Sequence, residues 1–514
     1  MSTELQQNTA WRLGSAPASS EIIGVVGAGT MGAGIAQVAA AAGHPVCLMD
    51  VRPGAAAAAR EQIDQVLIGL VKKGRLTEAD RLQLVARITP VDSLAQLRDA
   101  ALVIEVIVEK LAPKQDLLRD LEAHVSPRTI LASNTSSISI TALANGMQHP
   151  QRLVGMHFFN PVPLMKLVEV ISGAETDAGA AKIVLDIARS WGKIPVPAKS
   201  TPGFIVNRIA RPFYAETLAL LQEQAGTPAQ LDALMRAAGF RMGPCELMDL
   251  IGHDINYSVT QSVFEANYGD QRFVPSLVQK ALLDGGRLGR KSGKGFYVGT
   301  PEVAPLADRA EPSERLTLAG SGAAAERLAN WLTATGLSFA RDTTTDWTGL
   351  QCASCTLHLS DGRTATQLGA ERQTRHAAVM DLPLAASARN GLAIAFAASM
   401  DAAQKERAIA ELHNAGLAVT VLRDVPGLLV ARTIAMLINE AADAVHQGVC
   451  DAQGADLAMK LGTNYPAGPF EWLADIGVDY VVTLLGHLSH AYRGERYRVS
   501  PLLQQQAWLA KIPK

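Results

Sequence analysis

The sequence predicts an α/β chain with two sheet domains and one helical domain that occurs twice. Three observations predict it. A short apolar strand, Glu21-Ile-Ile-Gly-Val-Val26, runs directly into Gly27-Ala-Gly-Thr-Met-Gly32 and then into a helix start rich in small residues. Strand-like apolar runs alternate with helix-period stripes from there to about Ala198, the pattern of a parallel sheet with crossover helices. Finally, two distant stretches repeat one another. Thr201-Pro-Gly-Phe-Ile-Val-Asn-Arg208 is echoed by Val425-Pro-Gly-Leu-Leu-Val-Ala-Arg432, and Gly243-Pro-Cys-Glu-Leu-Met-Asp249 by Gly468-Pro-Phe-Glu-Trp-Leu-Ala474.

These signals divide the chain in order. Residues 1–20 read as a disordered polar tail, 21–199 as a Rossmann-type dinucleotide-binding domain and 200–299 as a helical domain. Residues 300–323, rich in Pro, Ala and charge, read as a linker. Residues 324–424 read as a reduced Rossmann-like α/β domain with no glycine fingerprint, and 425–514 as the second helical copy. In that copy Ala431 stands where the first has Asn207, so it keeps apolar and helix-starting positions and loses a polar one. That favours a scaffold over a second active site.

Composition bounds the function. Net charge is −2 over 514 residues, with 48% hydrophobic and 19% charged residues, which argues against a nucleic-acid binder. No apolar run is long enough for a bilayer, and the polar start is no secretory signal, so a cytoplasmic protein is expected. The five cysteines make no disulfide scaffold. Cys352-Ala-Ser-Cys355 has no second pair to complete a zinc site, so no metal and two reduced thiols are expected.

The glycine stretch carries specific demands. Gly27 allows a tight turn, Gly29 lets the backbone approach a pyrophosphate, and Gly32 lets the helix sit close to the strand. The next strand, Pro45 to Met49, ends in Asp50, eighteen residues past Gly32. A carboxylate there binds the ribose hydroxyls of NAD and repels the extra phosphate of NADP. Further on, Thr129 to Ala132 reads as a strand ending in Ser133-Asn-Thr-Ser-Ser137, at the edge where open parallel sheets place ligands.

His157 and Glu169 lie twelve residues apart on two apolar strand-like runs, separated by Pro161 and Pro163. A fold-back about Pro163 brings them face to face. A carboxylate on one imidazole nitrogen fixes the tautomer, so that the other can take a proton.

Together, Ser133-Asn-Thr-Ser-Ser137, His157-Phe-Phe-Asn-Pro-Val-Pro163, Lys166-Leu-Val-Glu-Val170 and Thr201 to Arg208 resemble the L-3-hydroxyacyl-CoA dehydrogenases. The resemblance covers about 21–298 and returns in the duplicated domain at 425–503. The long form is similar to the bacterial 3-hydroxyadipyl-CoA and 3-hydroxybutyryl-CoA dehydrogenases, the former belonging to phenylacetate breakdown. It implies NAD-dependent oxidation of an (S)-3-hydroxyacyl-CoA, with His157 as base and Glu169 orienting it. By the same resemblance, Ser136 and Asn207 would hydrogen-bond the reacting oxygen or thioester region. Gly27, Gly29, Thr30, Met31, Gly32, Asp50, Glu109, Lys114, Asn160 and Lys291 would line the cofactor, and Lys73 would meet the CoA moiety.

The lysine-based β-hydroxyacid dehydrogenases share this order of domains, but they need a catalytic lysine where this chain has Asn207. A non-enzymatic scaffold protein, like the related lens crystallins, is the other rival. Short family members dimerise through the helical domain, so the second copy is expected to act as a built-in partner. The acyl group is marked by no motif; a substrate carrying a terminal carboxylate would need a cation, for which Arg208, Arg211 and Arg241 are candidates.

Overall fold

The computed structural model describes residues 19–299, 316–385 and 391–513. Residues 1–18 of the expected tail (1–20) and residues 300–315 of the expected linker (300–323) lie outside the described residues. By contact the chain forms two units. One holds the described residues up to Val206 together with Gly448–Gly462; the other holds Asn207–Gln447 and the chain from Thr463 onward.

The first unit is built on a sheet of β1 (Ile22–Val26), β2 (Val46–Met49), β3 (Ile88–Val91), β4 (Ala100–Glu105), β5 (Ile130–Ser133), β6 (Leu153–Phe158), β7 (Leu167–Ser172) and β8 (Ile194–Lys199). Its order is β3-β2-β1-β4-β5-β6-β7-β8. Strands β1 to β6 pair in parallel. Such strands are covered by helices on both faces and read as unbroken apolar runs; Ile23, Val25, Leu102, Ile104 and Val154 are fully or almost fully buried. The chain then reverses: β7 is antiparallel to β6, and β8 runs parallel to β7. The segment contributed by the second helical copy packs on this last pair. Lys199 N–H donates to the Val449 carbonyl at 2.9 Å, and Gly454 is so close that an added Cβ would lie 2.9 Å from Val196.

In the second unit, β9 (Leu316–Ala319), β10 (Phe339–Asp342), β11 (Gly349–Gln351), β12 (Thr356–Leu359), β13 (Ala377–Met380), β14 (Leu392–Phe396) and β15 (Val419–Val421) form a mixed sheet, ordered β10-β9-β11-β12-β13-β14-β15. Two sequence expectations fail here. The reduced domain begins at Leu316, inside the expected linker. And β9 does run into a glycine turn, Gly320-Ser321-Gly322, followed by the helix Ala323–Ala334. Gly320 has φ +103° and donates its N–H to the Asp342 carbonyl at 2.8 Å, as Gly27 (φ +113°) does to Met49 at 2.8 Å. The turn escaped notice because its strand has only four residues and sits beside a stretch rich in loop-forming residues. Cys352 and Cys355, which form no disulfide with each other, close the turn from β11 to β12, joined by a 3.0 Å backbone hydrogen bond.

The two helical copies pack on one another within the second unit. Helix Val430–His446 is buried almost along its length and lies against helix Arg211–Gln222. Arg208 Nε meets Glu440 at 2.6 Å, and Arg432 Nε meets Glu216 at 2.6 Å. Arg208 corresponds to Arg432 and Glu216 to Glu440 in the repeat. Each copy therefore reaches the same acid of the other, the reciprocal pattern of an isologous dimer interface held inside one chain. Glu216 also takes Arg496, Arg432 reaches Glu223, Arg272 meets Glu440 and Asp443, and Arg498 meets Asp443 and Asp270. Five arginines are thus matched by five acids in this network, as burial of charge demands.

Candidate active site

The glycine turn meets the requirements of a dinucleotide. A Cβ on Gly32 would lie 1.7 Å from the Gly27 carbonyl oxygen, and one on Gly27 would lie 2.5 Å from that of Val106. Both glycines are therefore forced by close packing. Gly29, the N-cap of helix Thr30–Ala41, has nothing within 4 Å of its Cβ position. That is the open approach a pyrophosphate needs at a helix N-terminus. Thr30 is exposed and Met31 half-buried on the first turn. Asp50, just past β2, accepts the Ala28 N–H at 2.8 Å and stands ready for a ribose. Its fork with Arg52, at 3.0 and 3.1 Å, outweighs its partial burial and holds the carboxyl down at about 2.

Behind the turn, Glu105 is fully buried at the end of β4. It takes Lys114 Nζ at 2.6 Å, the Ile107 N–H at 2.7 Å and the Ser133 hydroxyl at 2.5 Å. Sequence reasoning passed over it; the available signal was a lone carboxylate closing an apolar strand, nine residues before a lysine on the next helix. Lys114 is thereby turned inward, and it also reaches Glu109 at 3.3 Å. One oxygen of Glu109 gathers the serine cluster. It accepts the Thr135 hydroxyl at 2.7 Å, the Ser136 N–H at 2.8 Å and the hydroxyls of Ser136 and Ser137 at 3.2 and 3.1 Å. Burial opposes the charge on Glu109, but Lys114 and these donors outweigh it and keep the carboxyl below its ordinary range.

The antiparallel register of β6 and β7 sets His157 opposite Glu169. Nδ1 and Oε2 are 2.6 Å apart, with both residues buried. The other oxygen of Glu169 accepts the backbone N–H groups of Ile205 and Val206, at 3.1 and 2.8 Å. A carboxylate with this set of donors acts as acceptor toward the imidazole, so we assign the hydrogen to Nδ1 and leave Nε2 as the basic atom. Nε2 has no protein partner among the described residues. The ring packs against Phe159, with centroids 4.5 Å apart, and Phe204 lies at 6.2 Å. The connection from β6 to β7 is anchored from beneath by buried Lys193, which donates to the carbonyls of Val162 at 2.5 Å and Met165 at 2.8 Å. Lys193 is a second positioning residue that sequence reasoning passed over.

The first unit carries Gly27 to Gly32, Asp50, Glu109 and Ser136 on the loops that follow its parallel strands, with β6 supplying His157 and β7 supplying Glu169. Asn160 lies exposed in the β6–β7 connection, and Lys73 is exposed at the C-cap of helix Ala55–Lys72 with no side-chain partner among the described residues. Asn207 and Lys291 belong to the other unit. Asn207 directly follows Val206, whose N–H Glu169 holds. Lys291 pairs with Asp254 at 2.6 Å.

A doubly wound sheet, a glycine turn with its acid, and an imidazole backed by a carboxylate define an NAD-dependent dehydrogenase. Comparison with known proteins narrows the class. The model for the NAD-binding domain of 3-hydroxyacyl-CoA dehydrogenase matches residues 22–201. The model for that enzyme's C-terminal domain matches twice, at 203–299 and 427–512. A reduced Rossmann-fold domain of 3-hydroxybutyryl-CoA dehydrogenase matches 357–426. The chain is 42% identical to the 3-hydroxyadipyl-CoA dehydrogenase of Escherichia coli (strain K12), over 95% of its own length and 98% of the relative's. It is 40% identical to a probable 3-hydroxybutyryl-CoA dehydrogenase of Bacillus subtilis (strain 168), over 53% of its own length and 95% of the relative's. A solved 3-hydroxybutyryl-CoA dehydrogenase from Escherichia coli K12 superposes with a TM-score of 0.85 at 40% identity, covering 95% of this chain and 98% of that one. The chain belongs to the 3-hydroxyacyl-CoA dehydrogenase family. No helix among the described residues is long and apolar enough to cross a membrane.

Proposed function

We propose that the chain oxidises (S)-3-hydroxyadipyl-CoA to the 3-oxoacyl-CoA, with His157 as general base. The observation that carries the reading is the buried His157–Glu169 pair at 2.6 Å, which leaves Nε2 unengaged. NAD, when bound along the glycine turn, supplies the hydride acceptor. Nε2 of His157 takes the hydroxyl proton as the C3–H bond breaks, a role typically worth ~10²–10⁴ in rate. Glu169 keeps the ring in the reactive tautomer and stabilises the imidazolium that forms. Ser136 and Asn207 hydrogen-bond the reacting oxygen or the thioester region and fix its approach. Glu109 and Lys114 order the serine cluster against the cofactor, while Asn160 and Lys291 complete its lining and Lys73 meets the CoA moiety.

The adipyl group is proposed on the 42% identity to the 3-hydroxyadipyl-CoA dehydrogenase named above; the solved 3-hydroxybutyryl-CoA dehydrogenase covers the chain equally and makes butyryl the second reading. The test follows NADH absorbance with 3-hydroxyadipyl-CoA and 3-hydroxybutyryl-CoA. Faster turnover of the first is expected. Faster turnover of the second reassigns the substrate, and no NADH from either leaves a scaffold protein without this activity. The cytoplasm is the compartment proposed, and the internal pairing of helical copies is proposed to replace the partner subunit of shorter relatives.

A further inference from the structure

We propose that the second helical copy serves catalysis as well as assembly: its helix Ala452–Thr463 holds Glu169 in place against His157, and Gly462 is a positioning residue of the reaction. The step rests on the 3-hydroxyacyl-CoA reading above. All of that helix but its last residue, Thr463, belongs to the first unit, together with β7 and β8.

Gly454, Ala458 and Gly462 are spaced by four along the helix, so they share one of its faces. A Cβ on Gly454 would lie 2.9 Å from Val196 Cγ1. One on Gly462 would lie 2.8 Å from Leu167 Cδ2 and 2.9 Å from Val206 Cγ2. Ala458 between them is fully buried. The three residues met are the ones that surround Glu169. Val196 is its partner across β7 and β8. Leu167 stands two residues before it on β7, on the same face of the sheet. Val206 donates the backbone N–H that Glu169 accepts at 2.8 Å. Leu167 and Val206 are buried, so neither side chain can swing into solvent to make room. The other oxygen of Glu169 lies 2.6 Å from His157 Nδ1. A shift of Leu167 or Val206 therefore carries the carboxylate with it and turns the imidazole out of line.

The repeat shows that this close approach is particular to the catalytic sheet. Asp232-Ala-Leu-Met235 aligns with Asp456-Leu-Ala-Met459, which sets Gln230 opposite Gly454 and Ala238 opposite Gly462. The first copy thus carries a Cβ at both positions where the second has none. Ala238 borders a cavity with Val430, the counterpart of Val206. Glycine weakens a helix relative to alanine, and Gly462 has no left-handed backbone to require it. Packing against Leu167 and Val206 is what calls for glycine there. The sheet it faces is the one with the His–Glu pair; the other has Ala393 in the place of Glu169.

The test compares the full chain with three variants: Gly462→Ala, Gly486→Ala, and Gly462→Ala combined with Val206→Ala. The substrate is whichever of 3-hydroxyadipyl-CoA and 3-hydroxybutyryl-CoA the native chain oxidises faster. Gly486 is a helical glycine of the same copy with nothing within 4 Å of its Cβ position, so its variant should keep native kinetics. Gly462→Ala should lower kcat about tenfold by misplacing the base. It should leave KM and the affinity for NADH within about twofold of native, and displace the limb of the pH–rate profile that reports the base. Removing the Val206 methyls in the double variant should return much of the lost kcat. If Gly462→Ala keeps the native kcat and pH profile, the contact is slack and the proposal fails. If it loses NADH binding along with kcat, or does not fold, Gly462 serves folding alone and the proposal fails as well. A native chain that oxidises neither substrate ends the 3-hydroxyacyl-CoA reading itself, whatever the variants do.

Discussion

The molecule makes the same turn twice, and the acid that holds it differs. At Gly203-Phe204 and Gly427-Leu428 the backbone takes almost identical left-handed values, φ +76° and +47° in the first, +76° and +49° in the second. In each case a buried carboxylate collects the N–H groups that follow. Glu169 holds those of Ile205 and Val206, and Asp381 holds those of Leu429, Val430 and Ala431. The strands around them also correspond: β6 antiparallel to β7 and β7 parallel to β8, then β13 antiparallel to β14 and β14 parallel to β15. Counting back from the turns, Val196 matches Thr420 and their strand partners Glu169 and Ala393 match. Asp381, whose N–H donates to Ala393, then falls where the first sheet has His157. The turn needs an acid in both copies. Only the first copy spends its other carboxylate oxygen on an imidazole; the second has Asp381 where the first has His157, and Ala393 where it has Glu169.

The largest expected effect removes the imidazole. His157→Ala should lower turnover by ~10²–10⁴ while leaving NADH affinity, read by fluorescence titration, close to that of the native chain. Near-normal turnover would show that the base lies elsewhere. Next comes the contrast between the two acids. Glu169→Gln should lower turnover by roughly 10² through loss of the fixed tautomer, and displace the limb of the pH–rate profile that reports the base. Asp381→Asn should leave turnover per folded molecule unchanged and cost about 1–3 kcal/mol of stability, because an amide oxygen replaces two carboxylate acceptors at buried N–H groups. A variant at Asp381 that folds normally but turns over slowly would break the comparison.

Much of the first sheet was legible because its signals are local. The glycine turn, the acid closing β2 and the twelve-residue separation of His157 from Glu169 each lie in one short stretch. Glu105 and Lys193 were not legible in the same way. Their roles depend on partners brought in by the fold, Ser133 and Lys114 for one and the Val162 carbonyl for the other. The second sheet was hardest to read. Strands β9, β11 and β15 have four, three and three residues, too few to show a period. The reciprocal pairs Arg208–Glu440 and Arg432–Glu216 follow from the repeat only once the copies are known to face each other.

The smallest expected effect separates the two glycine turns. At the first, Asp50 stands one residue beyond β2 and its carboxylate reaches back to Ala28. At the second, Asp342 is the last residue of β10 and its carboxylate accepts the N–H and hydroxyl of Thr344, turned into its own loop. Asp50 is turned back toward its glycine turn and Asp342 into its own loop, so one NADH should bind per chain by equilibrium dialysis. Asp50→Ala should weaken NAD about tenfold and raise the use of NADP relative to NAD, because Arg52 loses its acid and turns to face the extra phosphate. Asp342→Ala should change neither. Since Arg52 holds Asp50 down at about 2, its charge persists across the working range, and the preference for NAD should stay flat from roughly pH 5 to 9. Two bound NADH per chain, or equal responses from both variants, would mean that the reduced sheet retains a working nucleotide site.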